Sequence, residues 1–294
     1  MLFGLGPEAD GARRSRLAAA TPIRMLSSWY NGPADLGWMT GWRGTEIHHD
    51  YTAGYALHLI VWSSGPHTAL PTRYGAACGE AYPLSARFLG DMERLARTFS
   101  PPRGARLYVT LFSEFQTYAC NGNEWSGDPR TEAYFRALQD RYRSALAIFH
   151  RLAHHSAVSL GWGGWQTRWD APATGGGRSL FAHFSEEMRR SDFESFEVIN
   201  SASAPADILG MTRELSRFGP VMLAYFKPSV KAGDGGASQL RAVLSASSLR
   251  NLIGARMFAL SFIDDSFLSA DPAGLATVRD AVARFGCSRC GPVG

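Results

Sequence analysis

The chain reads as one closed α/β domain, a (β/α)8 TIM barrel over residues 21–286. Three observations predict it. Short, nearly continuous apolar runs alternate with amphipathic helical patterns, as in a parallel sheet covered by helices. A length of 294 residues suits a single unit of this kind. No Gly-x-Gly-x-x-Gly follows the first run and no Walker loop is present, which disfavours an open nucleotide-binding sheet. Gly161-Trp-Gly-Gly164 lacks the spacing for such a loop, and Gly175-Gly-Gly177 lacks the Lys-Ser/Thr that would follow.

Residues 1–20, rich in Ala, Gly and Arg and without a period, are expected to form an extended arm, and 287–294 a tail. Between them, strand-length runs cover Ile23 to Trp29, Ala56 to Trp62, Arg106 to Phe112, Ala157 to Trp162, Phe193 to Ile199, Pro220 to Phe226 and Arg256 to Phe262. A weaker segment, Thr68 to Thr72, is expected to supply the eighth strand. Helical spacing recurs at Phe88, Leu89, Met92, Leu95, Ala96 and Phe99. It returns at Phe135, Leu138, Tyr142, Leu146, Phe149 and Leu152, where Asp128 and Pro129 open the helix. Shorter helical patterns follow at 180–190, 207–218, 239–252 and 275–285.

Composition narrows the partners. Charged residues make up 19% of the chain and the net charge is +4, almost all the positive charge being scattered arginine. Nucleic-acid binders concentrate Lys and Arg in stripes, and none is found. No apolar run approaches the roughly 18 residues that cross a bilayer, so no membrane insertion is expected. No secretory signal is legible, so the chain is intracellular, trimmed, or delivered without a signal as virion proteins are; an extracellular or virion-associated location is the expectation. Cys78 and Cys120 follow strands where a disulfide could tie two loops. Cys287-Ser-Arg-Cys290 has redox spacing but no following helix to activate a thiol. No cofactor is implied. No metal site is expected either, since His48 and His49 are adjacent and point apart.

In such barrels the reacting groups stand at the C-terminal ends of strands. There the sequence places Trp29-Tyr30-Asn31, Trp62, Glu114-Phe-Gln116, Trp162, Trp165-Gln166, Trp169-Asp170, Tyr225-Phe-Lys227 and Asp264-Asp265. Trp125 lies in the loop beyond Glu114. All 8 tryptophans fall near strand ends or in adjoining loops. Indole faces stack on sugar rings while Asn, Gln, Asp and Glu bond the hydroxyls, so a polysaccharide or cell-surface glycan is the expected partner. Glu114, directly after Leu107 to Phe112, is the candidate general acid, because a carboxylate shielded from water at the rim holds its proton to higher pH. Asp264 and Asp265 both end the last strand, and the one that faces the axis is the candidate second carboxylate, with Glu197, inside a strand, a third candidate.

From Gly75 to Trp125 the chain resembles glycoside hydrolase family 26, the β-mannanase-like clan of retaining barrels. The resemblance rests on Gly79, the helix from Ser85, Glu114 and Trp125, and extends loosely to Phe262 through strand order. It implies an acid/base role for Glu114. The chain departs from the family in having Ser113 and Gln116 around Glu114, where His and Asn are usual. It also ends the run Pro220-Val-Met-Leu-Ala-Tyr225 in tyrosine, where the nucleophilic glutamate is expected, which makes Asp264 the favoured second carboxylate and Tyr225 the alternative nucleophile. The sequence is also similar to actinobacterial and actinophage tail-associated glycosidase-like domains, which implies membership of a larger secreted or virion assembly. Two functions follow: a glycoside hydrolase, or a glycan-binding barrel without cleavage, such as a receptor-binding module. The first requires a second carboxylate about 5–10 Å from Glu114.

Overall fold

The structure, a computed structural model, describes residues 1–62, 68–117, 125, 127–165, 167, 179–229, 234, 236–270, 273–288 and 290–291. Eight parallel strands close a barrel: β1 (Leu2–Leu5), β2 (Met25–Tyr30), β3 (Ala56–Val61), β6 (Leu107–Leu111), β7 (Ser156–Gly163), β8 (Glu194–Ile199), β9 (Val221–Lys227) and β10 (Met257–Phe262). Two short strands, β4 (Leu70–Thr72) and β5 (Gly75–Ala77), form a separate antiparallel pair. Helices such as Phe88–Phe99, Pro129–Leu152, Ala204–Leu215 and Gly274–Phe285 surround the barrel.

Two assignments change. The expected arm contains β1, which closes the ring between β10 and β2, and two short helices, Ala9–Arg13 and Arg16–Ala20. Leu70–Thr72, expected as the eighth barrel strand, instead pairs with Gly75–Ala77. The two-residue turn Arg73–Tyr74 folds it back on its neighbour, so its hydrogen bonds go to that hairpin.

Alternation along each strand sorts the interior into layers. The N-terminal floor is apolar: Leu2, Met25, Tyr108, Phe193, Met222 and Phe258 pack on one another, with Ala56, Ala157 and Cys290 against them. Cys290 is disulfide-bonded to Cys287. Cys78 is likewise in disulfide linkage, while Cys120 lies outside the described residues.

Two residues further along come small polar groups. His58 bonds Ser27 Oγ through Nδ1 at 3.2 Å and Thr110 Oγ1 through Nε2 at 2.8 Å. Thr110 donates to Ser195 Oγ (3.1 Å), as does Ser159 (2.9 Å), and Ser27 meets Ser261 at 3.0 Å. Burial pushes the His58 pKa down to about 3, so the imidazole is neutral. The next inward positions, Trp29, Gly161, Glu197 and Tyr225, form the mouth. Tyr225 reaches it because the β8–β9 register shifts between Phe196 and Glu197, which makes Tyr225 the direct neighbour of Glu197.

Candidate active site

The turn after β6 carries Glu114 in a backbone conformation that non-glycine residues rarely adopt: Phe112 has φ 60° and Glu114 φ 52°. Such a turn persists only if its surroundings hold it, and they do. Phe112 packs against Phe88 and Tyr142, and Phe115 against Trp162, Phe184 and Phe135. Ser113 N–H donates to Val61 O at 3.1 Å. Gln116 is fully buried and accepts from Gly163 N–H at 3.1 Å. Gly161 lets the turn lie against β7, since a Cβ there would stand 2.7 Å from Ser113 Cα.

Glu114 projects from this clamp with its carboxyl largely removed from water, and burial pushes its pKa up to about 7. It makes no ion pair with any described residue. The hydroxyl of the preceding Ser113 donates to Glu197 Oε1, so the two glutamates stand beside one another across the mouth. Glu197 is 1% exposed, and its pKa is raised well above the carboxylate range by burial and then by the charge of Glu114. Its other oxygen, Oε2, is buried without a hydrogen-bond partner. Two carboxyls that each hold the proton more tightly when the other is charged can hold one proton between them near neutral pH.

The rest of the mouth is built around Tyr225. Its ring stacks obliquely on Trp29 at 4.8 Å, and Trp62 lies 6.3 Å beyond. Its hydroxyl is fully buried, unpartnered, and pressed against Gly6, where a Cβ would sit 3.1 Å from Oη. Burial and the charges of Glu197, Glu8 and Asp264 hold the phenol well above its usual range. Glu8 follows β1, and its pKa rises to about 7 through burial, Asp35 and Asp10. Glu8 Oε2 and Trp29 Nε1 are also buried without partners. Orphaned polar atoms are costly in a folded interior, and those of Glu8, Trp29, Glu197 and Tyr225 stand at this end of the barrel. Asp264 is committed otherwise: it accepts from Lys227 Nζ at 3.0 Å and from Ser266 N–H at 2.8 Å, and these contacts lower its pKa despite burial.

The sequence-predicted residues divide. Trp29, Trp62, Glu114, Tyr225, Lys227 and Asp264 come together at the mouth, and the Trp165 ring covers Gly163, which has room for it only because glycine has no side chain. Tyr30 and Trp162 do not belong there. Each follows an inward residue by one position and therefore points outward into the wall. Tyr30 is fully buried and bonded to Tyr82 Oη at 2.7 Å, and Trp162 is fully buried among Phe115, Phe181 and Phe184. Gln116 ties two loops together rather than facing the mouth. Asn31 is exposed and bonded to Asp35, Asp265 accepts from Leu17 N–H at 3.4 Å, and Trp125 stacks on His183 at 3.6 Å. Gln166, Trp169 and Asp170 lie outside the described residues. Trp38 and Trp42 stand on the helical segments Leu36–Gly41 and Trp42–Gly44 and pack edge to face. Glu8 and the Ser113–Glu197 contact were not anticipated. The alternating inward positions Ser195 and Glu197, polar inside an otherwise apolar run, were the available signal for the second.

Among the described residues no group of three or more His, Cys, Asp or Glu could hold a metal ion, and no helix is long and apolar enough to cross a membrane. No family model matches the sequence. No curated protein matches it either. Solved structures do match in shape. A β-galactosidase from the haloarchaeon Halorubrum lacusprofundi superposes with TM-score 0.60 at 12% identity, covering 97% of this chain and 58% of that one. A β-galactosidase from Bacillus circulans sp. alkalophilus gives 0.60 at 9%, covering 90% and 50%. The Ignisphaera aggregans GH53 catalytic domain gives 0.54 at 11%, covering 89% and 79%. The chain thus spans little more than half the length of these β-galactosidases. At such identities the likeness establishes the (β/α)8 barrel, a fold these glycoside hydrolases share.

Proposed function

We propose that the protein is a glycoside hydrolase that cleaves a cell-surface or extracellular polysaccharide, with Glu114 as general acid/base and Glu197 as the second carboxylate. The observation that carries this reading is the strained, clamped turn that sets Glu114 beside Glu197 through Ser113. Cleavage of a glycosidic bond needs a proton on the leaving oxygen and negative charge under the ring carbon. In the proposed course Glu114, at the rim, gives its proton to the glycosidic oxygen as the C–O bond breaks. Glu197, deeper and accepting from Ser113 in a hydrogen bond that favours its ionised form, supplies the anion and forms a glycosyl ester, the one proton of the pair standing on Glu114 in the reacting state. Water deprotonated by Glu114 then releases the sugar with its anomeric configuration retained. Trp29, Trp62 and Trp165 offer flat faces for sugar rings, and the barrel fold shared with glycosidases supports the class.

This reading moves the second carboxylate from Asp264 to Glu197. Asp264 is held in its ionised form by Lys227 and Ser266, and it shapes the rim through that pair. The test is turnover of a polysaccharide panel by wild type and by Glu114→Gln, Glu197→Gln and Asp264→Asn. The first two variants should each lose about a hundredfold or more, the usual contribution of such groups, and the third less. Loss confined to Asp264→Asn would return the role to that residue. A wild type that binds one glycan and cleaves none would establish a binding barrel instead.

A further inference from the structure

The segment that follows β2 repeats one dipeptide four residues apart, Gly37-Trp38 and Gly41-Trp42, and the two indoles pack edge to face with centroids 4.7 Å apart. Their surroundings differ. Trp42 packs against the core, whereas Trp38 is 39% exposed, one of two large apolar side chains so placed among the described residues. Trp38 is nevertheless fixed. Its Nε1–H donates to Asp35 Oδ1 at 3.3 Å, and Asp35 Oδ2 accepts from Asn31 N–H at 2.7 Å and Asn31 Nδ2 at 3.0 Å. An exposed ring held in this way is preorganised, so a ligand that lies on it meets no ordering cost from the side chain.

The glycines beside it are a second, independent observation. Leu36 and Met39 bury one side of Leu36–Gly41, while Gly37 and Gly41 are exposed on the other. A Cβ at either glycine would meet nothing within 4 Å, and neither has a positive φ. Packing and backbone conformation therefore give no reason for glycine, although only proline weakens a helix more. What glycine supplies here is clearance: Gly41, three positions on, is the neighbour of Trp38 on the helix surface. Position completes the case. Asn31 directly follows β2, so this patch stands at the same barrel end as the mouth. From Trp29 through Asn31 and Asp35 to the Trp38 indole the path is no longer than about 15 Å, the reach of a short oligosaccharide.

We propose that Trp38 is a stacking platform for a sugar ring of the polysaccharide outside the mouth. The apolar face of a pyranose lies on the indole, and Asn31 and Asp35, whose carboxylate oxygens keep acceptor capacity, bond its hydroxyls. A protein partner would need a far wider apolar patch than one indole between glycines, whereas a single sugar face matches it. This inference rests on the glycosidase reading for its ligand, since it carries the same glycan beyond the mouth.

The probes are soluble galactan, glucomannan and arabinoxylan, each cast into native gels through which the full chain migrates. At least one should retard the wild type. Trp38→Ala and Gly41→Gln should each weaken that affinity about three- to tenfold, the scale of one lost aromatic contact, and where the polymer is cleaved the loss appears in KM. Gly41→Gln separates binding from folding, because glutamine favours the helix and the space is open, so this variant should melt no lower than wild type. Retardation that either variant leaves unchanged, or that none of the three polymers produces, overturns the inference. So does a wild-type dimer that Trp38→Ala turns into a monomer in sedimentation, which would make this face a contact between two copies. Cleavage lost in Glu114→Gln with binding indifferent to Trp38 leaves the proposed function standing without the platform. Binding that depends on Trp38 with no cleavage leaves the platform and removes the hydrolase.

Discussion

A carboxyl held at a pKa near 7 in the folded chain costs stability whenever the solution is basic enough to ionise it, and Glu114→Gln should reveal that cost. In the unfolded chain the group titrates near 4.5; in the folded chain, near 7. Below pH 4.5 both states keep the proton and the difference is nil. Between 4.5 and 7 the unfolded chain gives the proton up while the folded chain keeps it, so stability falls as pH rises. Above 7 the folded chain pays in full, about 3 kcal/mol for a rise of this size. Glutamine has the shape and no charge, and its backbone meets the same φ, so the turn's strain cancels in the comparison. The variant should therefore gain about 2–3 kcal/mol on wild type between pH 4 and pH 8, read from urea unfolding midpoints at a common slope. It should gain this while losing turnover. A wild-type-to-variant difference that stays flat with pH would show that the carboxyl is not held out of water, and the account of the site would lose its acid.

Further outcomes follow from the same geometry. Glu114→Gly should be more stable than Glu114→Ala by about 1 kcal/mol, because only glycine occupies φ 52° without strain; equal stabilities would mean the turn relaxes. Gly161→Ala drives a Cβ to 2.7 Å from Ser113 Cα, so it should cost about 1–3 kcal/mol and displace Glu114, seen as lost turnover in a protein that still melts cooperatively. His58 should show no imidazole titration by NMR between pH 5 and 8. Because its folded pKa is depressed to about 3, its contribution is fully present above 6.5 and is lost as pH falls toward 3. Tyr30→Phe removes the hydroxyl that meets Tyr82, itself bonded to Asp91, and should cost about 1 kcal/mol in thermal or urea melts while glycan turnover persists.

How far the sequence could be read depended on which physical signal each residue carried. Runs such as Leu107 to Phe112 and Met257 to Phe262 are buried on both faces, and their unbroken apolar character made them visible. Leu2–Leu5 has four residues and runs at once into Gly-Pro and an alanine-rich stretch, so its strand character emerges only when β10 and β2 supply its hydrogen bonds. Glu114 was legible because it follows its strand directly. Glu197 was weakened as a candidate by lying inside a strand, since that position discloses nothing about depth along the barrel axis. Only the pairing with Tyr225 and the reach of Ser113 bring it to the mouth. The tryptophans misled where a single position decides between mouth and wall: Trp29 points inward and Tyr30 outward, and an aromatic pair in sequence cannot say which is which. Glu8 was hidden because its surroundings come from segments distant in the chain.

The pairing that closes the ring has a consequence for how the protein is made. Leu2 of β1 is the partner of Ala259 in β10, so the barrel strand made first waits for the one made last. Until then a nascent chain carries two bare strand edges, those of β1 and of the newest strand, and each is a template for pairing with another chain. The polar seam of Ser27, His58, Thr110, Ser159, Ser195 and Ser261 draws on strands from both halves, and its Ser27–Ser261 bond waits until the circle completes. In the half-made molecule this seam is open to water, which tolerates serine and histidine far better than it would an all-aliphatic interior. A hydroxyl-lined middle thus gives the growing chain a less adhesive inner surface during the long interval before closure.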